Sequence, residues 1–230
     1  MDPNKRLYLI SPPCIYDVAE FISAFSSLLF EYHDYIFAVQ LRIKHVQNES
    51  LLSLGIRIGE ICNQNNVMLI INDDVQLAHD LYIQGKACGL HIGQQDTALS
   101  HCRKILPDNM IIGVSCQDQL QLAKKSLEEG ADYVSFGAFF SSKTKLDVIA
   151  QPKISILDQW QKHSAIPAVA IGGITAENCF QFFKKSNTII AICNYIWSHE
   201  KGHVYAIRNI IRHYNQAILK KDITKKESKT

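Results

Sequence analysis

Eight short, β-rich apolar runs separated by longer amphipathic stretches constrain this chain more than any other feature. The runs are LYLI (7–10), IFAVQLR (36–42), VMLIIND (67–73), GLHIG (89–93), IIGVS (111–115), YVSFG (133–137), AVAIGG (168–173) and TIIAIC (188–193). Their nearly continuous Val, Ile and Leu content suits strands buried on both faces, the habit of parallel sheets. Helical periodicity falls between them, near 16–30, 51–65, 75–85, 97–105, 117–129, 153–163, 176–185 and 203–219. Gly130 is placed to end the fifth of these, and Thr175-Ala176-Glu177-Asn178 to cap the seventh. Eight strand–helix units with no break in composition predict a single closed (β/α)8 barrel, the TIM barrel, over residues 1–219. The length of 230 residues is close to the ~250 usual for that fold. An open doubly wound sheet is the competing architecture. It would want a glycine-rich turn after the first strand, and here that turn reads SPPCIY.

Charge and cysteine usage narrow the function classes. The net charge of +2 hides a basic tail, because residues 220–230 hold five Lys against Asp222 and Glu227. Without them the 24 basic and 22 acidic residues fall to 19 and 20, so the body is near neutral and offers no electrostatic case for nucleic acid. The tail is expected to be a solvated, disordered end. Seven scattered cysteines form no CxxC pair, which argues against structural zinc and against a disulfide framework. Their odd number and the lack of a signal peptide fit a reducing cytosol, so a cytoplasmic location is expected. No apolar run reaches the ~18 residues of a membrane span. The expected partners are small molecules, with no nucleic acid and no membrane, and a homo-oligomer is compatible with the pattern.

In a barrel of this kind the chemistry sits at the C-terminal ends of the strands. Strand two ends Gln40-Leu41-Arg42-Ile43-Lys44. Alternate residues of a strand share a face, so Gln40, Arg42 and Lys44 are expected to point together and to need an anion, phosphate oxygens suiting both cations. An internal salt bridge is the bland alternative. Strand three ends Asn72-Asp73-Asp74, and the turn after strand four carries Asp96. Carboxylates from adjacent strands can share a hard divalent cation such as Mg²⁺, with water and substrate phosphate completing its six oxygens. Both positions also open helices, so simple N-capping is the competing use. Strand five ends in Ser115, and the loop after strand six offers Ser142, Lys143, Thr144 and Lys145. Strand seven runs into Gly172-Gly173, whose backbone N–H groups can approach a phosphate closely. His91 lies within a strand and is expected to be a hydrogen-bonded core imidazole, and Trp160 and Trp197 are expected to pack.

In order, the motifs LYLIS, QLRIK, IINDD, GLHIGQQD, GVS, GADYVSFGAFFSSKTK and AIGGI resemble those of the thiamine-phosphate synthase family, from residue 7 to about 193. The resemblance implies Mg²⁺-dependent transfer of an aminopyrimidinylmethyl group from its diphosphate to the ring nitrogen of a thiazole phosphate. It further implies that Gln40, Arg42, Lys44, Asn72, Ser115 and Lys145 hold the pyrimidine diphosphate. Among these, Arg42, Lys44, Ser115 and Lys145 would serve the chemical step. Asp73 and Asp96 would hold the metal. Ser142, Lys143 and Thr144, with Gly172, Gly173 and the backbone of Ile192 and Cys193, would hold the thiazole phosphate.

The chain departs from the family pattern at several points. Asp74 stands where the family has arginine, Ala138 replaces a proline, and Cys193 replaces a serine. Asp73 and Asp96 are about four residues further apart than usual, close to one helical turn. The related thiazole tautomerases share the barrel, but their proton-transfer histidine falls where this chain has Ala138, and they tend to lose the counterpart of Asp96. A non-catalytic ligand-binding barrel is the remaining alternative.

Overall fold

The computed structural model describes residues 4–46, 50–141 and 151–227. Eight parallel strands close on themselves: β1 (Leu7–Ile10), β2 (Ile36–Leu41), β3 (Met68–Asn72), β4 (Gly89–Ile92), β5 (Ile111–Ser115), β6 (Tyr133–Phe136), β7 (Ala168–Ile171) and β8 (Thr188–Ile192). Each pairs with its neighbours in sequence, and β1 closes the ring by pairing with both β2 and β8. This is the (β/α)8 barrel expected from the eight apolar runs.

Around the ring lie α1 (Val18–Tyr32), α2 (Leu51–Gln64), α3 (Val75–Ile83), α4 (Leu99–Ile105), α5 (Leu120–Glu128), α6 (Ser155–His163), α7 (Phe180–Phe183), α8 (Asn194–Trp197) and α9 (His203–Glu227). Local chemistry starts the first three. The carboxylate of Asp17, the hydroxyl of Ser50 and the carboxylate of Asp74 accept the N–H groups of Glu20, Ser53 and Leu77. In α1 the buried set Phe21, Phe25, Leu28, Leu29 and Tyr32 has the spacing of one helical face. Two expectations are corrected. The seventh helix shrinks to Phe180–Phe183 because residues 176–179 form a turn instead. The last helix does not stop at 219 but continues to Glu227, carried by good helix formers such as Lys and Glu, so the tail is helical through that point.

The period-2 alternation of the strands sorts side chains into two cores. Leu7, Leu9, Val39, Leu41, Leu69, Ile71, Leu90, Ile92, Ile112 and Val114 face the helices and join one large cluster. Tyr8, Ile10, Ala38, Ile70, Tyr133, Val169, Ile189 and Ala191 fill the barrel interior. The interior is therefore a packed core with two phenol rings in it, not a channel. Gly113 makes this possible, since a Cβ there would lie 1.9 Å from the Tyr133 ring. At the opposite, N-terminal end, the buried Arg6 guanidinium donates to the carbonyls of Thr188 and Lys185, joining the start of β1 to β8 and its approach. Both tryptophans pack as expected, Trp160 donating to the Ile166 carbonyl at 3.1 Å and Trp197 to the Ile10 carbonyl at 2.7 Å.

Gly113→Ala is expected to push Tyr133 off its rotamer and to cost about 1–3 kcal/mol. At this size that corresponds to roughly 2–10 °C of melting temperature, read by thermal denaturation.

Candidate active site at the barrel mouth

Three strand ends meet through Ser11, which is buried just beyond β1. Its N–H donates to the Gln40 carbonyl, its hydroxyl accepts the Arg42 N–H at 2.8 Å, and its carbonyl accepts the Cys193 thiol at 3.3 Å. The first loop thus sets the height at which β2 and β8 deliver their side chains. Gln40 is buried in the interior, and Arg42 is half-buried at the rim. Arg42 acts electrostatically on both Asp73 and Cys193, so its charge lies between the ends of β3 and β8. The expected shared face of Gln40, Arg42 and Lys44 holds only for the first two. β2 ends at Leu41, and the Lys44 N–H bonds to the Pro13 carbonyl at 2.7 Å, leaving its side chain exposed in a bend.

The acidic residues divide by task. Asp74 caps α3, its carboxylate accepting the Leu77 N–H at 2.9 Å. That frees Asp73, whose backbone turns to φ 61° and whose N–H bonds to the His91 carbonyl at the end of β4. Asp96 caps no helix either. Its carboxylate folds back on the Gly93 N–H at 2.7 Å, and a Cβ on Gly93 would stand 2.7 Å from the same oxygen. The two carboxyls lie within hydrogen-bonding reach of each other. Partial burial and then the Asp96 carboxyl push Asp73 up to about 6, against the opposing pull of Asn72 and Arg42. Asn72 reaches Asp73 directly, its Nδ2 donating to Oδ2 at 2.6 Å. Between the two aspartates the chain turns after α3 at Gly85, with φ 65°. Among the described residues no cluster of three or more His, Cys, Asp or Glu gathers, so a metal here would draw on these two carboxylates and on oxygens from elsewhere.

Across the mouth, Gly172 and Gly173 adopt φ 102° and 60°. They lie directly under the loop after β6: a Cβ on Gly172 would meet Ala138 at 2.2 Å, and one on Gly173 would meet the Ser141 carbonyl at 2.6 Å. Asn178 pins this turn, accepting the Thr175 N–H and donating to the Gly173 carbonyl. Ile192 turns its side chain outward to the helices, so only its backbone faces the mouth. Cys193 precedes α8 with a half-buried thiol that burial raises to about 11, which leaves it a neutral group there. Ser142, Lys143, Thr144 and Lys145 lie outside the described residues.

Below the mouth, Ser115 is bound to His91, whose Nε2 lies 2.9 Å from its hydroxyl oxygen. His91 is buried and doubly hydrogen-bonded, as its strand position suggested. Tyr8, Tyr133, Ser135 and Ser11 are the residues that sequence reasoning passed over. Tyr133 and Ser135 alternate within YVSF, and that same-face spacing was the available signal.

What fold and mouth define together is a (β/α)8 barrel of the enzyme type, with its polar chemistry gathered at the C-terminal ends of the strands. Among solved structures it resembles thiamine phosphate pyrophosphorylase from Pyrococcus furiosus, with a TM-score of 0.75 and 22% identity over 94% of this chain and 98% of that one. It also resembles 3-hexulose-6-phosphate synthase from Salmonella typhimurium, with a TM-score of 0.67 and 12% identity over 92% and 99%. At such identities the likeness establishes the fold alone. The sequence profile of the thiamine monophosphate synthase family matches residues 7–196. Thiamine-phosphate synthase of Pelagibacter ubique is 40% identical over 86% of this chain and 91% of its own, and that of Rhodospirillum centenum 35% over 90% and 96%. The chain belongs to the thiamine monophosphate synthase family.

The carboxylate pair makes a stability prediction. Asp73 holds its proton more tightly folded than unfolded, so its contribution to stability is present at low pH and is lost as pH rises from its ordinary 3.8 through about 6. In EDTA at alkaline pH, Asp96→Asn relieves the pair and is expected to raise the melting temperature by about 1–3 °C, its exposure keeping the gain small. The difference is expected to shrink as pH falls through about 6 and to vanish only well below 3.8, where Asp73 is protonated in both proteins.

Proposed function

We propose that this chain is a thiamine-phosphate synthase, a transferase joining an aminopyrimidinylmethyl diphosphate to a thiazole phosphate with release of diphosphate. The single observation that carries the reading is the convergence of Asp73 and Asp96, two carboxylates no helix uses, beside the half-buried Arg42. Two acids pressed together at a cost to ionisation suit a divalent cation, and the reading assigns them Mg²⁺. When bound, that ion supplies positive charge to the departing diphosphate.

The remaining roles are those the family resemblance implies. Arg42 and Lys44 neutralise phosphate oxygens from the β2 rim, Arg42 as a planar fork and Lys44 as a mobile point charge. Lys145 is assigned the same task from the loop after β6. Gln40, Asn72 and Ser115 hold the pyrimidine end deeper in the barrel. The thiazole phosphate is assigned to Ser142, Lys143 and Thr144, to the Gly172–Gly173 turn, and to the backbone N–H groups of Ile192 and Cys193. Departure of diphosphate requires charge neutralisation rather than a protein nucleophile, and Arg42 and Lys44 are the cations assigned to supply it. The neutral Cys193 thiol replaces the family's serine without adding charge where the second phosphate would sit. Ala138 at the tautomerase histidine position and the retained Asp96 favour the synthase over that alternative. Among the described residues no helix is long and apolar enough to cross a membrane, and the expected partners remain small molecules.

The test mixes the protein with the aminopyrimidine diphosphate, the thiazole phosphate and Mg²⁺, and follows thiamine phosphate after oxidation to its fluorescent thiochrome derivative. Turnover is expected, abolished by EDTA and lowered by roughly 100-fold or more in Asp96→Asn, since loss of outer-shell contacts alone costs 10–100-fold at metal sites. A folded protein with no turnover would sink the synthase reading.

A further inference from the structure

A chain of hydrogen bonds crosses the barrel interior beneath the mouth, and its direction follows from the protons its members must place. Gln40 Nε2 bears only donors and gives one to the Tyr8 hydroxyl at 3.3 Å. The Tyr8 and Tyr133 hydroxyls are 2.9 Å apart, Tyr133 lies 2.9 Å from His91 Nδ1, and His91 Nε2 lies 2.9 Å from the Ser115 oxygen. Both phenols are fully buried, and burial raises both well above their ordinary range, so each keeps its proton. Tyr8 already accepts from Gln40, and around it stand Ile10, Ala38, Ile70 and Val169. Its own proton therefore goes to Tyr133, the remaining hydrogen-bonding group beside it.

Tyr133 then donates to His91 Nδ1, which must be the bare nitrogen of a neutral imidazole. The imidazole proton is left on Nε2 and points at the Ser115 oxygen. With the Gln40 amide nitrogen turned to Tyr8, the reverse sense would leave the Tyr8 proton buried without an acceptor, which native interiors avoid. Ser135 stands 3.5 Å from the Ser115 oxygen as a second donor. The Ser115 oxygen thus receives protons from below, and its own proton is left for whatever occupies the mouth.

We propose that His91 is a positioning residue: Tyr8 and Tyr133 hold it as the Nε2–H tautomer, and His91 in turn makes the Ser115 hydroxyl a donor toward an acceptor atom of the bound ligand. With the substrate assigned above, the matching atom class is a ring nitrogen of the pyrimidine rather than its amino group. The identity of that ligand rests on the synthase reading, whereas the tautomer belongs to the protein alone.

The experiment has two arms. Long-range ¹H–¹⁵N correlation spectra of the histidine-labelled protein, assigned with His91→Gln, read the tautomer directly. A protonated Nε2 and a bare Nδ1 are expected at neutral pH, and Tyr133→Phe is expected to collapse this into a mixture. In the kinetic arm, Tyr133→Phe and Ser115→Ala are each expected to raise KM for the pyrimidine diphosphate about three- to tenfold, the worth of one neutral hydrogen bond, with kcat changing less. Their double mutant is expected to be no worse than either single, because both remove the same contact. Mere loosening of the core would leave the tautomer intact and make the two losses multiply. Should Tyr133→Phe fail to fold, Tyr8→Phe provides the same two readouts. A wild-type His91 protonated on Nδ1, or losses that multiply, would overturn the proposal. Absence of turnover in every protein would overturn the synthase reading instead and leave the tautomer result to decide this one.

Discussion

An eight-stranded barrel encloses a space only just wide enough for the side chains that line it. Every other feature of this structure depends on how that narrow space is filled. Two tyrosines occupy its middle, one facing Gly113, whose missing side chain makes room for the ring. Their hydroxyls cannot reach water, so they bond to each other and to the groups above them. The barrel core and the floor of the mouth are consequently one construction. A change in packing at Gly113 or Ile70 is felt by the groups that hold His91 and Ser115.

Above that floor, the mouth holds charge that the fold does not need. Asp74 caps a helix and contributes locally, but Asp73 and Asp96 cap nothing, and the Asp96 carboxyl opposes the ionisation of Asp73. Arg42 sits within electrostatic reach of Asp73 at the next strand end, a partial compensation that leaves the carboxyl well above its ordinary range. In the proposed reading that charge meets a cation and a phosphate, with stability given up where ligand charge would offset it.

Much of this was legible along the chain. Runs rich in Val and Ile marked all eight strands, because burial on both faces removes the polar alternation that half-exposed strands carry. Asp73, Asp96, Gln40 and the Gly172–Gly173 turn were legible because a barrel concentrates chemistry at one end of each strand. Lys44 was misplaced for a definite reason: alternation applies only while the ladder continues, and its backbone leaves the sheet to bond with Pro13. The helical reach to Glu227 was also missed, since a highly charged segment reads equally well as a solvated end or as a helix. Tyr8 looked like an ordinary strand residue, and Tyr133 did too unless its alternation with Ser135 in YVSF was read as a shared face.

By itself the sequence determined the closed parallel barrel, the end of the barrel that carries the chemistry, and the family to which the chain belongs. All three are written in local patterns of period and order. Only the tertiary structure decided that Asp74 rather than Asp73 caps α3, that Asp73 and Asp96 come together, and that Gln40, Tyr8, Tyr133, His91 and Ser115 form one chain of bonds. Those contacts join residues up to 125 positions apart across the barrel axis. No local pattern encodes them, because they exist only once closure has brought opposite strands within a hydrogen bond of each other.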